Sequence, residues 1–143
     1  MRSALVLLAA TATLTAAPVP KDPKPGDDAA LLLGAWKVES MIRDGESVPP
    51  DTSRWTFTGE GTLDTLNTRK VVSEWTFTID PKAAPKRMTW TAKLNGTKWD
   101  CVYELKGDTL KIGFLDAHAK TPRAVEAGPT LILYELKREK AAK

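Results

Sequence analysis

Residues able to do chemistry are few in this sequence, which has one cysteine and one histidine. Cys101 falls between Trp99 and Tyr103 on an alternating apolar face, whereas a reactive thiolate needs an electropositive and partly exposed setting. We therefore interpret Cys101 as a small buried hydrophobe. His118 is the sole histidine, so a multi-histidine metal site is excluded and a catalytic triad would depend on one loop residue. We interpret it as a solvated loop side chain.

Paired carboxylates are the remaining catalytic possibility, and two pairs are spaced by four residues: Asp100 with Glu104, and Glu60 with Asp64. In a strand this spacing puts two groups on one face but about 13 Å apart, beyond the roughly 5–9.5 Å of a glycosidase pair. Carboxylates from different strands could still meet on folding. We expect no catalytic residue, no metal and no cofactor, and we rank an enzyme third among the hypotheses.

Five tryptophans in so short a chain are the strongest functional signal. Aromatic side chains suit the wall of a pocket for a planar or apolar ligand. The candidate wall residues are Trp55, Trp75, Trp90, Trp99 and Tyr103. The segment 116–130 is the longest without strand pattern, and Arg123 and His118 are its candidate polar contacts at the pocket mouth. A completely filled core gives the same alternation of residues, so periodicity leaves both readings open.

The elements that must position these residues are predicted to be short strands. Apolar residues recur at every second position, and the runs end at Gly, Pro, Asn or Asp. One run, Trp55-Thr56-Phe57-Thr58, recurs as Trp75-Thr76-Phe77-Thr78. In the first strand, Gly34, Trp36, Val38 and Ser40 are expected on one face. The last strand, 130–138, has apolar residues on both faces and is expected to be covered on both.

About eight such strands in near-regular succession predict an all-β fold, an antiparallel up-and-down β-barrel, with a β-sandwich as the alternative. A barrel of this size is either filled by side chains or holds one small ligand. A short helical turn at 29–33, with Asp27 or Asp28 as its N-cap, is predicted to cover one end.

The first 17 residues have the layout of a secretory signal peptide: a positive charge at Arg2, an apolar stretch and small residues at the end. Residues 18–28 contain four prolines among charged residues and are predicted to form a disordered linker. Residues 29–140 then form one domain. We expect a secreted or periplasmic protein without a transmembrane anchor, because the apolar stretch is shorter than the roughly 20 residues that span a bilayer.

Charge and cysteine content exclude other classes. The formal net charge is +3, and positive and negative residues interleave, so the sequence offers no basic stripe for phosphate binding. We therefore expect no nucleic-acid partner. A single cysteine cannot form an intrachain disulfide, so the domain must be stabilised by packing.

Several blocks of sequence resemble one family. They are Leu33 to Val38, Asp44-Gly45 with Pro49, Phe77 to Pro81 with Pro85-Lys86, Tyr103 to Ile112, and Leu136 to Arg138. On these blocks the chain resembles a small lipocalin-like domain family of uncharacterised function, with many exported paralogues in planctomycete bacteria. The resemblance covers nearly the whole mature domain and implies a lipocalin-like, calycin-type barrel with no agreed activity. Thr121-Pro122-Arg123 reverses the order of Arg and Pro that members show there.

The resemblance also implies how the barrel is closed. Lipocalins place a basic residue of the last strand over the tryptophan of the first strand. Arg138, or alternatively Lys137, is the expected partner of Trp36, in a cation–π contact of about 0.5–1 kcal/mol at an exposed site.

Two further hypotheses follow for function. The first is a non-enzymatic, exported barrel that binds a small hydrophobic or aromatic ligand. The alternative is a structural or interaction module with a filled core that meets an exported or cell-envelope protein. A void of a few hundred cubic ångströms with tryptophan at its wall distinguishes the first from the second.

Overall fold

A computed structural model describes residues 27–115, 125 and 131–140 of the 143-residue chain. The predicted signal segment and residues 18–26 of the predicted linker, together with His118 and Arg123, lie outside these residues. The last two residues of that linker, Asp27 and Asp28, are the N-cap and the first residue of a short helix. The described elements, in chain order, are α1 Asp28–Leu32, β1 Gly34–Arg43, β2 Glu46–Val48, β3 Thr52–Phe57, β4 Thr62–Asn67, β5 Val72–Asp80, β6 Arg87–Ala92, β7 Lys98–Lys106, β8 Thr109–Leu115 and β9 Leu131–Arg138.

Hydrogen bonding between the first and last strands closes the sheet into a barrel. From β3 onward each strand pairs antiparallel with the next, and β1 pairs with both β3 and β9. The β1–β9 register runs from Trp36 opposite Arg138 to Arg43 opposite Ile132. The eight strands β1 and β3 to β9 form the barrel, and β2 is an extra strand on β1. The predicted antiparallel, up-and-down barrel is confirmed.

A bulge in β1 corrects the predicted face of that strand. Trp36 and Val38 are buried in the barrel, but the register with β9 shifts between Val38 and Ser40. A bulge inserts one unpaired residue and moves all later side chains to the other face. Met41 is therefore the next buried residue of β1, and Ser40 is not on the inner face with Trp36.

The predicted helical turn is present, one residue earlier than expected. Asp27 is its N-cap, with the side chain accepting a hydrogen bond from the Ala30 N–H at 3.3 Å. Asp28 is the first residue of α1 and is buried. The two aspartates therefore have different roles, since Asp27 caps the helix and Asp28 enters the barrel. In the part of the chain that the structure describes, no helix has the length and apolar character to cross a membrane.

Two strands, β2 and β4, were not predicted from the sequence. In β4, Leu63 and Thr65 face inward and are buried, but the strand has only two leucines among six residues, so its alternation is weak. The last strand behaves as expected, because Leu131, Ile132, Leu133 and Tyr134 are all buried.

A small apolar cluster on the outer face of β7, β8 and β9 explains why Val102 departs from the alternation of apolar and polar residues in β7. Val102 points outward from β7 yet is fully buried. It lies beside Gly113, where an added Cβ would be 3.6 Å from Val102 Cγ2 and 3.5 Å from Leu131 Cδ1. Glycine in β8 thus lets the side chains of β7 and β9 approach each other.

Candidate ligand-binding cavity

The barrel has two unlike ends, and the end beside α1 is closed by Trp36. The Trp36 ring is fully buried, and its Nε1–H donates to the Leu32 carbonyl at 2.8 Å. The guanidinium carbon of Arg138 lies 4.2 Å from the ring centroid, so the expected basic partner is Arg138 and not Lys137. Arg138 also donates to the carbonyls of Leu31 and Leu33, which ties the helix to the last strand.

A buried carboxylate makes a second connection at this closed end. Asp28 Oδ2 accepts from the Tyr103 hydroxyl at 2.8 Å and lies 2.7 Å from Lys86 Nζ. Burial, and then the hydrogen bond to Asp28, raises the pKa of Tyr103 far above its ordinary value. Tyr103 was predicted as a wall residue together with the tryptophans, but the structure places it here, at the opposite end of the barrel from the cavity described next.

At the other end of the barrel lies a cavity of about 280 Å³ that is open to solvent. It is lined by inward-facing aromatic residues and by a smaller number of polar ones: Arg43, Asp51, Thr52, Trp55, Thr65, Ser73, Trp75, Trp90, Trp99, Phe114, Ile132 and Tyr134. All four tryptophans predicted for the wall lie together around it. They come from β3, β5, β6 and β7, and Trp90 lies directly opposite Trp99 in the β6–β7 ladder.

The rings of the cavity wall pack mostly in tilted or edge-to-face pairs. Trp90 is central, with its ring centroid 4.9 Å from that of Trp55, 6.2 Å from that of Trp75 and 5.7 Å from that of Phe114. Phe114 and Tyr134 are stacked, at 5.8 Å and an interplanar angle of 22°. Tilted and edge-to-face pairs add about 0.5–1.5 kcal/mol each beyond burial of area, so the wall is rigid as well as apolar.

Three of the indole N–H groups are already satisfied by the protein. Trp55 Nε1 donates to Thr52 Oγ1 at 2.9 Å, and Trp75 Nε1 donates to Thr65 Oγ1 at 3.2 Å. Trp90 Nε1 lies 2.8 Å from Met88 Sδ. Because the polar edges of these rings are occupied, what they offer to the cavity is carbon surface.

One side of the cavity is polar. The Tyr134 hydroxyl donates to Asp51 Oδ1 at 2.5 Å. Burial, and then this hydrogen bond, raises the pKa of Tyr134, while the nearby positive charge of Arg43 acts in the opposite direction. Arg43 is exposed and has no ion pair among the residues that the structure describes. The cavity therefore offers a charged donor at its edge.

The candidates for covalent or acid–base chemistry are placed elsewhere. Cys101 is fully buried, with Sγ 3.8 Å from the Trp99 carbonyl oxygen, and burial followed by the charge of Asp100 raises the pKa of its thiol. Asp100 accepts from Thr89 Oγ1 at 3.0 Å, and Glu104 pairs with Lys106 at 3.0 Å. Within 27–115, 125 and 131–140, no three residues of the metal-binding types are grouped so that they could hold an ion.

Several residues that line the cavity were not among those predicted from the sequence. Phe114 and Tyr134 could have been predicted, since both lie at inward positions of predicted strands. Arg43, Asp51 and Thr52 could not, because they lie near strand ends, where the alternation of apolar and polar residues stops. Arg123, the predicted mouth residue, and His118 lie outside the described residues.

No family model matches the chain, and no curated protein is significantly similar to it.

Proposed function

We propose that this barrel is a non-enzymatic carrier or sensor that binds a small, planar, partly apolar molecule in the cavity at its open end. The observation that carries the proposal is the grouping of four tryptophans with Phe114 and Tyr134 around about 280 Å³ of space. Other hollows of the barrel surface are as large, and the feature that distinguishes this one is its aromatic wall. Small-molecule sites are lined mainly by hydrophobic and aromatic side chains with a few polar groups, as this one is.

Volume and wall chemistry narrow the ligand class. A dry apolar cavity of about 150 Å³ holds one benzene molecule, so the larger space here fits a molecule of one or two rings. Drug-sized ligands occupy pockets of about 300–1,000 Å³, which makes a long acyl chain or a polycyclic ligand a poor fit. Since the indole N–H groups are committed to Thr52, Thr65 and Met88, the rings contact the ligand through their faces and edges.

The polar side of the cavity gives the ligand an orientation. Arg43 can donate to an acidic or carbonyl group at the mouth, and Asp51 already accepts from Tyr134. A ligand with rings at one end and an acceptor at the other satisfies both parts of the site. The preferred probe is accordingly 2-naphthoate.

Calorimetric titration of the purified protein with 2-naphthoate, benzoate and decanoate tests the proposal. We expect saturable binding of 2-naphthoate, weaker binding of benzoate and little binding of decanoate. The variant Trp75→Ala should weaken 2-naphthoate binding by at least about tenfold, which corresponds to 1.4 kcal/mol. The matched control is Phe77→Leu, since Phe77 is on the same strand and packs on Phe57 but does not line the cavity.

Two results would contradict this proposal. One is the absence of binding by every probe to a protein with an intact β-sheet spectrum. The other is equal weakening by Trp75→Ala and Phe77→Leu, which would mean that binding responds to general loosening of the barrel. The alternative function, an interaction module of the cell envelope, would then be favoured.

We also propose that the protein is exported and belongs to the lipocalin-like family. The support is the layout of residues 1–17, and the resemblance of the domain to the exported lipocalin-like family. Expression of the full chain in a Gram-negative host, followed by fractionation and N-terminal sequencing, tests whether it is exported. A processed N-terminus near residue 17 in the periplasmic fraction is expected, and an intact chain confined to the cytoplasm would contradict it.

A further inference from the structure

Beside the cavity mouth, two hairpin loops carry exposed apolar side chains. The first loop joins β4 to β5 and presents Val71, 56% exposed, next to Val72 at the start of β5, 54% exposed. The second joins β6 to β7 and presents Leu94, which is 95% exposed. These are three of the four large exposed hydrophobic residues among those described, and the fourth, Leu33, is at the opposite end of the barrel. We call this pair of loops the rim.

The two loops form one surface. They flank a groove of about 660 Å³ that both line, from Val71 on one side to Leu94 on the other. The Lys93 N–H donates to the Glu74 carbonyl at 3.1 Å, which holds the loops together beyond the last pair of the sheet. Trp75 and Ser73 line both this groove and the tryptophan cavity, so the rim is continuous with the mouth.

Each loop is built to keep its tip ordered. Asn67 Oδ1 accepts from the N–H groups of Arg69 and Val71 at 2.9 and 2.8 Å. Asn95 Oδ1 accepts from the Thr97 N–H at 3.1 Å. The exposure of Val71 and Leu94 is therefore fixed by the turn geometry, in which local side-chain bonds hold the backbone.

The charges around these apolar residues are mostly positive. Arg69, Lys70 and Lys93 are exposed on the two loops and Lys98 is exposed at the start of β7, with Glu74 as the acidic residue of the groove. None of the four cations forms an ion pair within the described part of the chain. Of the eleven lysines and arginines described elsewhere on the barrel, six pair with a carboxylate and five do not. The rim thus combines unpaired positive charge with exposed leucine and valine.

We infer that the rim docks onto an anionic lipid surface, inserting Leu94 and Val71 at the headgroup boundary while the four cations contact acidic headgroups. Insertion of apolar side chains together with attraction to anionic lipids is how peripheral elements bind a bilayer. A protein partner could bury the apolar groove without contacting the four exposed cations around it. The positive charge therefore favours an anionic lipid surface over a protein as the partner. Docking in this way faces the cavity mouth toward the bilayer, and it does not depend on the identity of a ligand.

Cosedimentation of the full-length protein with vesicles tests this inference. The probes are vesicles of phosphatidylcholine alone and of equimolar phosphatidylcholine and phosphatidylglycerol. We expect binding to the anionic vesicles that falls steeply as salt is raised, because surface charges are screened. Binding to the neutral vesicles should be at least about tenfold weaker, given that each surface cation contributes about a fivefold gain in affinity.

Matched variants distinguish the rim from the rest of the surface. Leu94→Asn should weaken anionic vesicle binding by about tenfold, and the Lys93→Gln, Lys98→Gln double variant by about tenfold or more. The controls are Leu33→Asn and Lys106→Gln at the opposite end, which should change binding by less than about twofold.

Three outcomes would overturn the inference. They are no sedimentation with either vesicle, equal sedimentation with both, and equal losses in the rim and control variants. The first outcome, in a protein with an intact β-sheet spectrum, would assign the rim to a protein partner.

Discussion

The two ends of this barrel are built from the same residue type and use it differently. At the closed end Trp36 is fully buried, and Arg138, Leu32 and α1 cover it. At the open end Trp55 and Trp90 are also buried, whereas Trp75 and Trp99 are only partly buried beside an open space. A tryptophan in a small barrel therefore stabilises the fold when neighbours surround it, and the partly buried rings at the open end are the ones that can contact a ligand.

Polar groups follow the same division. At the closed end the acceptor of Tyr103 is Asp28, a buried carboxylate that also pairs with Lys86. At the open end the acceptor of Tyr134 is Asp51, which is exposed. Removing the tyrosine hydroxyl therefore leaves a buried carboxylate at the closed end and a solvated carboxylate at the open end. Substitutions at the closed end should accordingly affect stability more than those at the open end.

The largest effect is expected from Trp36→Ala. Truncation of a fully buried tryptophan costs about 3–5 kcal/mol in unfolding free energy, from lost burial and the cavity left behind. Trp75→Ala should cost about 1 kcal/mol, because Trp75 is only partly buried and already borders a space. Urea denaturation of both variants checks this. Equal losses would mean that the cavity wall contributes to stability as the closed end does.

The second-largest effect is expected when the hydroxyl group of a buried tyrosine is removed at either end. Tyr103→Phe should lower the unfolding free energy by about 1.5–3 kcal/mol, since it removes a hydrogen bond to a buried charge. Tyr134→Phe should cost about 0.5–1 kcal/mol, because water can replace the hydroxyl at Asp51. The measurement is again urea denaturation, near pH 7. A larger loss for Tyr134→Phe than for Tyr103→Phe would contradict this prediction, because the fold would then depend more on the hydroxyl at the open end than on the one at the closed end.

Alkaline pH should weaken the fold through the same two tyrosines. Their pKa values are raised in the folded protein, so above about pH 10 the unfolded chain releases protons that the folded protein retains. The unfolding free energy is therefore undiminished below that pH and falls as pH rises, by about 1.4 kcal/mol per pH unit for each tyrosine. Tyr103→Phe and Tyr134→Phe should each reduce this slope. A slope unchanged in both variants would contradict the prediction.

The smallest effect is expected at the cavity edge. Arg43→Gln should change the unfolding free energy by less than about 0.5 kcal/mol, because Arg43 is exposed. It should weaken 2-naphthoate binding by about fivefold, and it should leave the binding of 2-naphthol unchanged within about twofold. Calorimetry with the two probes measures both. Equal weakening for acid and alcohol would show that Arg43 acts through the shape of the mouth and not through its charge.

Much of the fold could be predicted from the sequence because an inward-facing set of residues alternates in β3, β5, β6 and β7. The weak alternation of β4 hid that strand, and the bulge after Val38 was invisible because it depends on pairing with β9. Tyr103 lies at the closed end, away from the tryptophans with which it was expected, for a related reason. Alternation gives the face of a strand but not the depth, and Trp99 and Tyr103 share a face about 13 Å apart along β7.

The cavity itself could be predicted only as one of two possibilities. Inward-facing tryptophans are compatible with a filled or an open interior, and the outcome depends on what lies opposite each ring. Small side chains at Thr65 and Ser73 leave the space near Trp75. Leu32 instead fills the volume beside Trp36. These contacts join distant strands and an α-helix, so no local pattern in the sequence records them.

The pairing of the first strand with the last has a consequence for how the chain matures. Arg138 bonds to a carbonyl 105 residues earlier, at Leu33, and the β1–β9 ladder has comparable separations. Contacts this distant in sequence slow folding, since loop-closure entropy is lost before they form. Until β9 is available to pair with β1, the sheet has open edges, which are vulnerable to aggregation. Closure of the barrel therefore depends on its last eight-residue strand.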